Sequence, residues 1–512
     1  MKKLLLTLVI LSTVAVSAAY LGKEPLFTAD FTASAVTKQL GKNSSLVTGP
    51  NGTRALRFSC PKLNTVLVKW SLDPSKVTGL IELECRVRGE KLSSLADVGW
   101  LGPKVMLTVE SPGAKTQYIE PAREFGTYPW KMVRRFILLP ENVSKLELSI
   151  GIQKGRGTFE VAELTIRRAE EVTPEIADTF FRSQPAAAVQ HDEIPRGSFS
   201  GTRFRGVMSG NDLSRSAFEE LKRWNVNLLR YQMRPTGEEG RKINSPEKYM
   251  AWLDQAAEHL EKKILPLARE FGIQVVIDIH FGKRIYRGTD NRLPNATSLE
   301  LLEAAWRKLA ARFRGNPAIY GYDLLNEPTP EDATDNPWPE MAQKLVNLIR
   351  EIDPETPIII AWFEIKPFVV KGNNLIYSPH FYKPDDYTAQ SVRQYRLNWR
   401  YPGFIQGIYW DKEQLRNAMR EIIEFQKKHG VKIYVGEFSV VSWAPGGAQY
   451  LKDCMELFEE YGWDWSYHAF REWAGWSVEH AGSTRKTIRR IGDTDRKQVL
   501  LDFLKRNKET HR

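Results

Sequence analysis

The sequence predicts two folded parts in series: an all-β sandwich over residues 20–168 and a (β/α)8 barrel over residues 198–512, joined by a connector at 169–197. Three observations carry this. The chain has 512 residues, more than one ordinary hydrophobic core holds. The N-terminal third repeats short alternating apolar–polar runs. The remainder alternates strand-like runs with amphipathic helical stretches, eight strands in about 300 residues.

The first element is an export signal over residues 1–19. Lys2 and Lys3 precede the apolar run Leu4–Val16, and Ser17-Ala18-Ala19 supplies small residues for cleavage. The apolar run is too short to span a bilayer, and no later segment approaches that length. No cysteine lies near the cleavage point, which argues against a lipid anchor. A secreted or periplasmic protein with no membrane span is expected.

The sandwich strands are read from Ala55–Phe58, Thr65–Trp70, Ile81–Val87, Lys104–Val109, Lys145–Ile150 and Thr158–Val161, punctuated by Gly, Pro and Asn. Cys60 and Cys85 lie in this part and either pair or remain buried thiols. Cys454 falls in a helical stretch, Tyr450–Tyr461, as a small core residue. The connector contains Pro174, Pro185 and Pro195 without sustained periodicity. Its apolar Phe180-Phe181 suggests docking rather than a free tether.

The barrel strands are Arg205–Ser209, Val226–Gln232, Gln274–His280, Ile319–Asn326, Pro357–Trp362, Leu375–Tyr382, Lys432–Phe438 and Trp463–Phe470. Helices are expected at Ser214–Trp224, Ser298–Arg314, Lys412–Lys428 and Arg496–Asn507. An open doubly wound sheet is disfavoured, because polar residues cap many strands instead of one switch point.

Composition excludes several functions. Apolar residues make up 42% and charged residues 26%, as in a globular chain. The net charge of +11 is not a nucleic-acid footprint, because the basic residues are interleaved with acids on helical faces, as in Arg215/Glu219 and Glu258/Lys262. No His-Glu-x-x-His or paired-cysteine spacing suggests a metal, and no Gly-x-Ser-x-Gly elbow suggests a serine hydrolase. No cofactor is expected.

Functional residues of such a barrel sit at the C-terminal ends of its strands. Those ends carry Arg230 on the second, Asp278-Ile279-His280 on the third, Asn326-Glu327-Pro328 on the fourth, His380-Phe381-Tyr382 on the sixth and Gly436-Glu437 on the seventh. A proline stops the fourth strand just after Glu327. Glu437 follows about 110 residues later. Two glutamates on two strand ends meet the requirement of a retaining glycosidase, an acid/base and a nucleophile about 5 Å apart.

With its Asn-Glu-Pro run, His-x-Tyr pair and late Gly-Glu in this order, the segment Phe204–Leu504 resembles glycoside hydrolase family 5. The resemblance implies Glu327 as acid/base and Glu437 as nucleophile, with no cofactor. Arg230 and Tyr382 would hold the nucleophile, Asn326 would contact the sugar 2-hydroxyl, and His280 and His380 would line the cleavage subsite. The family usually places a tryptophan at the end of strand eight, where this chain has His468. Trp473 or Trp476, just downstream, could supply the sugar platform instead; Trp473 is the expected one, with Trp465 as the competing reading.

The N-terminal part resembles the carbohydrate-binding jelly rolls of polysaccharide hydrolases, through Trp100 before Gly102 and Lys104, Tyr128-Pro129-Trp130 and Gly157-Thr158-Phe159. It either binds glycan or supports the barrel. The aromatic segment Lys383–Asp411 looks like that of endoglucanase-type members and suits either a cleft wall or rim packing. The expected activity is a secreted endo-β-1,4-glucanase acting on a polysaccharide or oligosaccharide. A β-mannanase, a xyloglucanase, an exo-β-glucosidase and a non-catalytic polysaccharide-binding protein are the alternatives.

Overall fold

The computed structural model describes residues 24–94, 101–113, 116–122, 126–169, 202–210, 213–282, 284–286, 291, 293–294, 296–330, 336–363, 367–390, 399–405 and 408–507. The export signal, Trp100 and nearly all of the connector lie outside these residues. The chain divides into two compact units. One comprises Met1–Gln190, Asp332–Thr334 and Gln390–Trp410, the other His191–Glu331, Asp335–Ala389 and Asp411–Arg512. Most of the aromatic segment Lys383–Asp411 therefore groups with the first unit.

The N-terminal unit is built mostly of strands: β1 (Pro25–Thr28), β2 (Ser44–Thr48), β3 (Arg54–Leu72), β4 (Leu80–Ser94), β5 (Gly102–Glu110), β6 (Gln117–Ala122), β7 (Gly126–Leu138) and β8 (Lys145–Arg168). They form one eight-stranded sheet. Runs that read as separate strands in the sequence are joined. Ala55–Phe58 and Thr65–Trp70 both belong to β3, and Lys145–Ile150 and Thr158–Val161 both belong to β8. One half of β8 pairs with β5 and the other with β4, while β3 follows it along both halves.

Register shifts at Cys60 and Asn64 let β3 change course without breaking. Gly151 does the same for β8. Its φ is +146°, and a Cβ there would sit 2.1 Å from the Val66 carbonyl oxygen. Residues from both halves, including Phe58, Val68, Leu83, Val105, Leu148 and Val161, share one hydrophobic core. Cys60 and Cys85 are free, buried members of that core rather than a disulfide.

The second unit is a closed, all-parallel eight-stranded barrel. Its strands are β9 (Arg205–Ser209), β10 (Leu228–Met233), β11 (Gln274–Ile279), β12 (Ile319–Asp323), β13 (Ile358–Trp362), β14 (Leu375–Phe381), β15 (Lys432–Phe438) and β16 (Asp464–Tyr467). Helices follow most strands. Arg215–Arg223 is capped by Ser214 and buries Ala217, Phe218 and Leu221, a spacing that puts all three on one face. Leu299–Phe313 is capped by Ser298, and Asp495–Leu504 by Thr494.

Two expectations change in detail. The stretch Lys412–Lys428 is two helices, Lys412–Ala418 and Arg420–His429, because Met419 sits at φ −88°, ψ −1° between them. Between β13 and β14 the described residues contain no helix. On the surface, Glu258 and Lys262 pair as expected, whereas Arg215 turns to Glu270 at 2.6 Å.

Inside the barrel the first layer is apolar and aromatic: Leu228, Val276, Tyr320, Ile359, Ile376 and Tyr434. This dry floor supports the polar layer above it. Replacing Gly151 by Ala should lower the thermal stability of the N-terminal unit by about 1–3 kcal/mol, through a positive φ and a backbone clash together. Calorimetry of the full chain would check this, and an unchanged transition would contradict the bend assigned to Gly151.

Candidate active site

The polar layer is organised by Arg230. Its strand reads Leu-Leu-Arg-Tyr-Gln-Met, and all six residues are buried. Alternation along β10 turns Leu228 and Arg230 to the interior. The guanidinium is fully buried and meets three carboxylates: Asp278 at 3.2 Å, Asp323 at 2.9 Å and Glu437 at 2.7 Å. Its Nη2 also donates to Asn326 Oδ1 at 3.1 Å. Burial would lower its pKa, but the three acids push it well above the ordinary guanidinium range.

Asp278 and Asp323 are register partners on adjacent strands. Burial foremost, with the charge of Asp278 adding, raises the Asp323 carboxyl to about 7 against the opposing pull of Arg230 and His380. Its Oδ1 has no hydrogen-bond partner among the described residues. The excess of acid over base in the cluster thus falls most heavily on Asp323. Neither aspartate was assigned a role from sequence. The available signal was a lone acid in an otherwise apolar, fully buried strand.

Glu437 ends β15 with its side chain almost wholly enclosed. Oε1 accepts from Arg230 Nη1 at 2.7 Å, and Oε2 accepts from the Tyr382 hydroxyl at 2.7 Å. Burial would raise its pKa. The facing His380 and His468 rings and the Arg230 guanidinium outweigh burial and hold the carboxyl well below the usual range. Tyr382 behaves oppositely. Burial, then Glu437 and Glu327, raise its phenol well above its ordinary value, so it remains a proton donor.

Gly436 precedes Glu437 because the strand passes close to its neighbour. A Cβ at Gly436 would lie 2.6 Å from Ser378 Oγ and 3.0 Å from His380 Nε2. A register shift in β14 then sets His380 directly beside Glu437.

Glu327 lies four residues past the end of β12, which stops at Asp323 rather than Asn326. The chain beyond stays tied to the barrel, since Asn326 N–H donates to the Ile279 carbonyl at 3.0 Å. Glu327 itself has φ +44°, a left-handed conformation that costs about 1–3 kcal/mol for a non-glycine residue. That turn brings Glu327 Oε1 to 3.4 Å from His380 Nδ1. His380 Nδ1 is also 3.8 Å from Glu437 Oε1, so the ring stands between the two glutamates. Ligand atoms of Glu327, His380 and Glu437 all lie within 4.8 Å of one another. We read no cation site there, because Glu437 is already bonded to Arg230 and Tyr382, and the guanidinium charge opposes a second cation.

His280 Nδ1 bonds Asp278 Oδ2 at 2.8 Å, and its Nε2 lies 3.4 Å from Asn326 Nδ2. Asn326 is thereby oriented from both ends, with oxygen toward Arg230 and NH2 toward His280. His468 follows β16, with Nδ1 2.5 Å from the Tyr382 hydroxyl and Nε2 3.1 Å from Glu472. Glu327, Glu437, Arg230, His280, Asn326, His380, Tyr382 and His468 therefore converge on one end of the barrel. Glu472 and Gln232 join them, linked by a 3.0 Å bond, and sequence patterning had not singled out either.

The three tryptophans around and after β16 have different surroundings. Trp465 is fully buried, with its N–H donating to Glu459 at 3.2 Å and its ring edge-on to Phe438. It offers no face to a ligand, because alternation in β16 turns it outward beneath the helix Gly447–Glu460. Trp473 packs edge-on to Trp443 and Trp476, with Arg485 over its ring. Trp476 is the indole beside the site, 5.8 Å from His468 and 6.0 Å from Tyr382 between ring centroids. In the aromatic segment, Tyr387, Trp399, Tyr401 and Trp410 are buried, and Gln390 clamps the Trp399 backbone at both N–H and carbonyl.

Replacing Arg230 by Met would leave three buried acids without their cation, a loss of about 3–5 kcal/mol. The loss should be greater at pH 8 than at pH 5. Without the cation the acids titrate higher, the folded state binds more protons than the unfolded one, and stability falls as pH rises. Melting curves at the two pH values would check this, and an equal loss at both would contradict it.

Among relatives, endoglucanase C of Acetivibrio thermocellus is 26% identical over 246 residues, which covers 40% of this chain and 71% of that protein. Endoglucanase C307 of Clostridium sp. (strain F1) matches with the same identity and coverage. A solved structure of Thermotoga maritima Cel5A in complex with mannotriose is 21% identical, with a TM-score of 0.45, and covers 58% of this chain and 97% of that one. The family model described as cellulase (glycosyl hydrolase family 5) matches residues 194–477, more than half of the chain, and the chain accordingly belongs to that family of glycoside hydrolases.

Proposed function

We propose that this enzyme is a secreted, retaining endo-β-1,4-glucanase in which Glu437 is the nucleophile and Glu327 the acid/base. The observation that carries the reading is the close approach of the two glutamates. Their facing oxygens lie within 4.8 Å, whereas an inverting pair needs about 6.5–9.5 Å to admit a water between them. The different surroundings support the division of roles. Glu437 is held ionised by Arg230 and Tyr382, as attack on the anomeric carbon requires. Glu327 faces His380 at 3.4 Å.

In the first step a Glu437 oxygen bonds to the anomeric carbon, and the glycosidic C–O bond breaks. Its electron pair stays on the leaving oxygen, which takes the proton of Glu327. In the second step Glu327 takes a proton from water, the water oxygen bonds to the anomeric carbon, and Glu437 leaves as a carboxylate. Asn326 directs its amide N–H to the sugar 2-hydroxyl, where the contact strengthens as oxocarbenium charge develops. The endoglucanase names of the two relatives support a glucan substrate and internal cleavage. The Lys2-Lys3 and Leu4–Val16 leader supports export. No helix of the described residues is long and apolar enough to cross a membrane. The N-terminal unit is proposed as a support for the barrel over residues 20–168.

A reducing-sugar screen over cellulose, barley glucan, mannan, xyloglucan and xylan tests the substrate, and preference for any polymer other than a β-glucan would overturn it. Glu437→Gln should abolish turnover while keeping the fold and glycan binding. Glu327→Ala should slow polymers far more than activated aryl glycosides, because a good leaving group needs little protonation. A 2-deoxy-2-fluoro glycoside should leave a covalent adduct on Glu437, and mass spectrometry that finds none would end the retaining assignment.

The sugar-facing indole is assigned to Trp476. Trp476→Ala should cut turnover on oligosaccharides by about tenfold, as loss of stacking worth about 1–3 kcal/mol implies by analogy with base–aromatic stacking. Trp473→Ala should cut it less. The reverse order would return the platform to Trp473.

A further inference from the structure

The end of the eighth strand carries an arrangement that the two-glutamate mechanism does not use. His468 lies between two carboxylates. Its Nε2 is 3.1 Å from Glu472 Oε2, and its Nδ1 is 2.5 Å from the Tyr382 hydroxyl and 3.4 Å from Glu437 Oε2. Glu472 is fixed in turn by Gln232 Nε2 at 3.0 Å and Arg234 Nη1 at 3.3 Å. Arg230 acts on the His468 ring from the second strand, and His280 acts on Glu472 from the third.

The proton count constrains this chain of bonds. Tyr382 has one phenolic proton and two neighbours that could accept it, Glu437 at 2.7 Å and His468 at 2.5 Å. A neutral ring protonated on Nε2 satisfies Glu472 but turns a lone pair toward Tyr382 and draws the phenolic proton from Glu437. A neutral ring protonated on Nδ1 leaves that proton on Glu437 but opposes a lone pair to the Glu472 carboxylate. Only the imidazolium matches a donor to every acceptor: Nε2–H to Glu472, Nδ1–H to the Tyr382 oxygen, and O–H to Glu437.

We propose that His468 is a positioning residue, kept as an imidazolium by Glu472, that commits the Tyr382 proton to Glu437. The proposal rests on the retaining reading. Its effect falls on the second step, when the ester bond between Glu437 and the anomeric carbon breaks and the departing carboxylate needs its donors. Burial would lower the His468 pKa, but Glu437 and Glu472 raise it above the ordinary value, in keeping with a charged ring. The imidazolium is present below that pKa and lost as pH rises through it. The second step should slow on the alkaline side.

The test uses the full chain and 2,4-dinitrophenyl β-cellobioside. This leaving group needs no proton from Glu327, so an alkaline limb in kcat reports another group. Glu472→Gln keeps the side-chain shape and removes the charge that holds the ring. The alkaline limb of kcat should move to lower pH by about one unit or more, with the acid limb in place. In 15N-histidine-labelled protein the His468 ring should titrate above its ordinary value, and its pKa should fall in the same variant. A wild-type His468 that is neutral throughout pH 5–8, or an unmoved limb in a folded Glu472→Gln enzyme, would overturn the proposal. A wild-type protein that hydrolyses no β-glucoside would overturn the glucanase reading instead, and the ring titration would then decide whether the His468–Glu472 pair holds a charge.

Discussion

A single permanent cation in a dry barrel organises this site. Arg230 has no exposure to water, and a guanidinium in that position is tolerated only with anions packed around it. Asp278, Asp323 and Glu437 supply them from three different strands. The acids outnumber the arginine, and burial with the neighbouring Asp278 charge raises the Asp323 carboxyl to about 7. The apolar floor of Leu228, Val276, Ile359 and Ile376 below excludes water and keeps these interactions strong. The polar layer is therefore one electrostatic unit, and each member depends on the others for its protonation state.

From that unit the two glutamates acquire unlike characters. Glu437 receives a guanidinium on one oxygen and a phenol on the other, so its negative charge is spread over two donors. Glu327 stands on a left-handed turn, and His380 Nδ1 approaches both it and Glu437. The strained φ is local, but it aims the carboxyl across the barrel mouth. Gly436 contributes by absence, since any side chain there would meet Ser378 and His380 and push the sixth and seventh strands apart.

The mouth near strand eight is where this chain is most individual. Where family members usually present an indole, it presents an imidazole flanked by Glu472 and Tyr382. Trp476 packs beside both rings. An imidazole thus stands within 3.4 Å of Glu437, the residue assigned as nucleophile.

The sequence by itself determined the barrel, the all-β N-terminal part and the membership of most of the site. Strand ends repeat a local signal: an apolar run, then a polar residue, then a breaker, as in Leu324-Leu325-Asn326-Glu327-Pro328. Five strands carry polar residues at such ends, and they point to one rim. Tertiary structure alone decided what lies between strands. The partners of Asp323 and Glu472 are not legible in sequence, because they come from register and from a turn after β16 rather than from neighbours in the chain. The tryptophans show the same limit. Trp465, Trp473 and Trp476 are near neighbours of one residue type, yet one lies under a helix, one packs against Trp443 and one stands beside Tyr382. A side chain's facing follows from strand alternation and turn path, which one residue of drift in a strand boundary reverses. The same holds for the long strands β3 and β8, where separate hydrophobic runs gave no sign that bulges and Gly151 would join them.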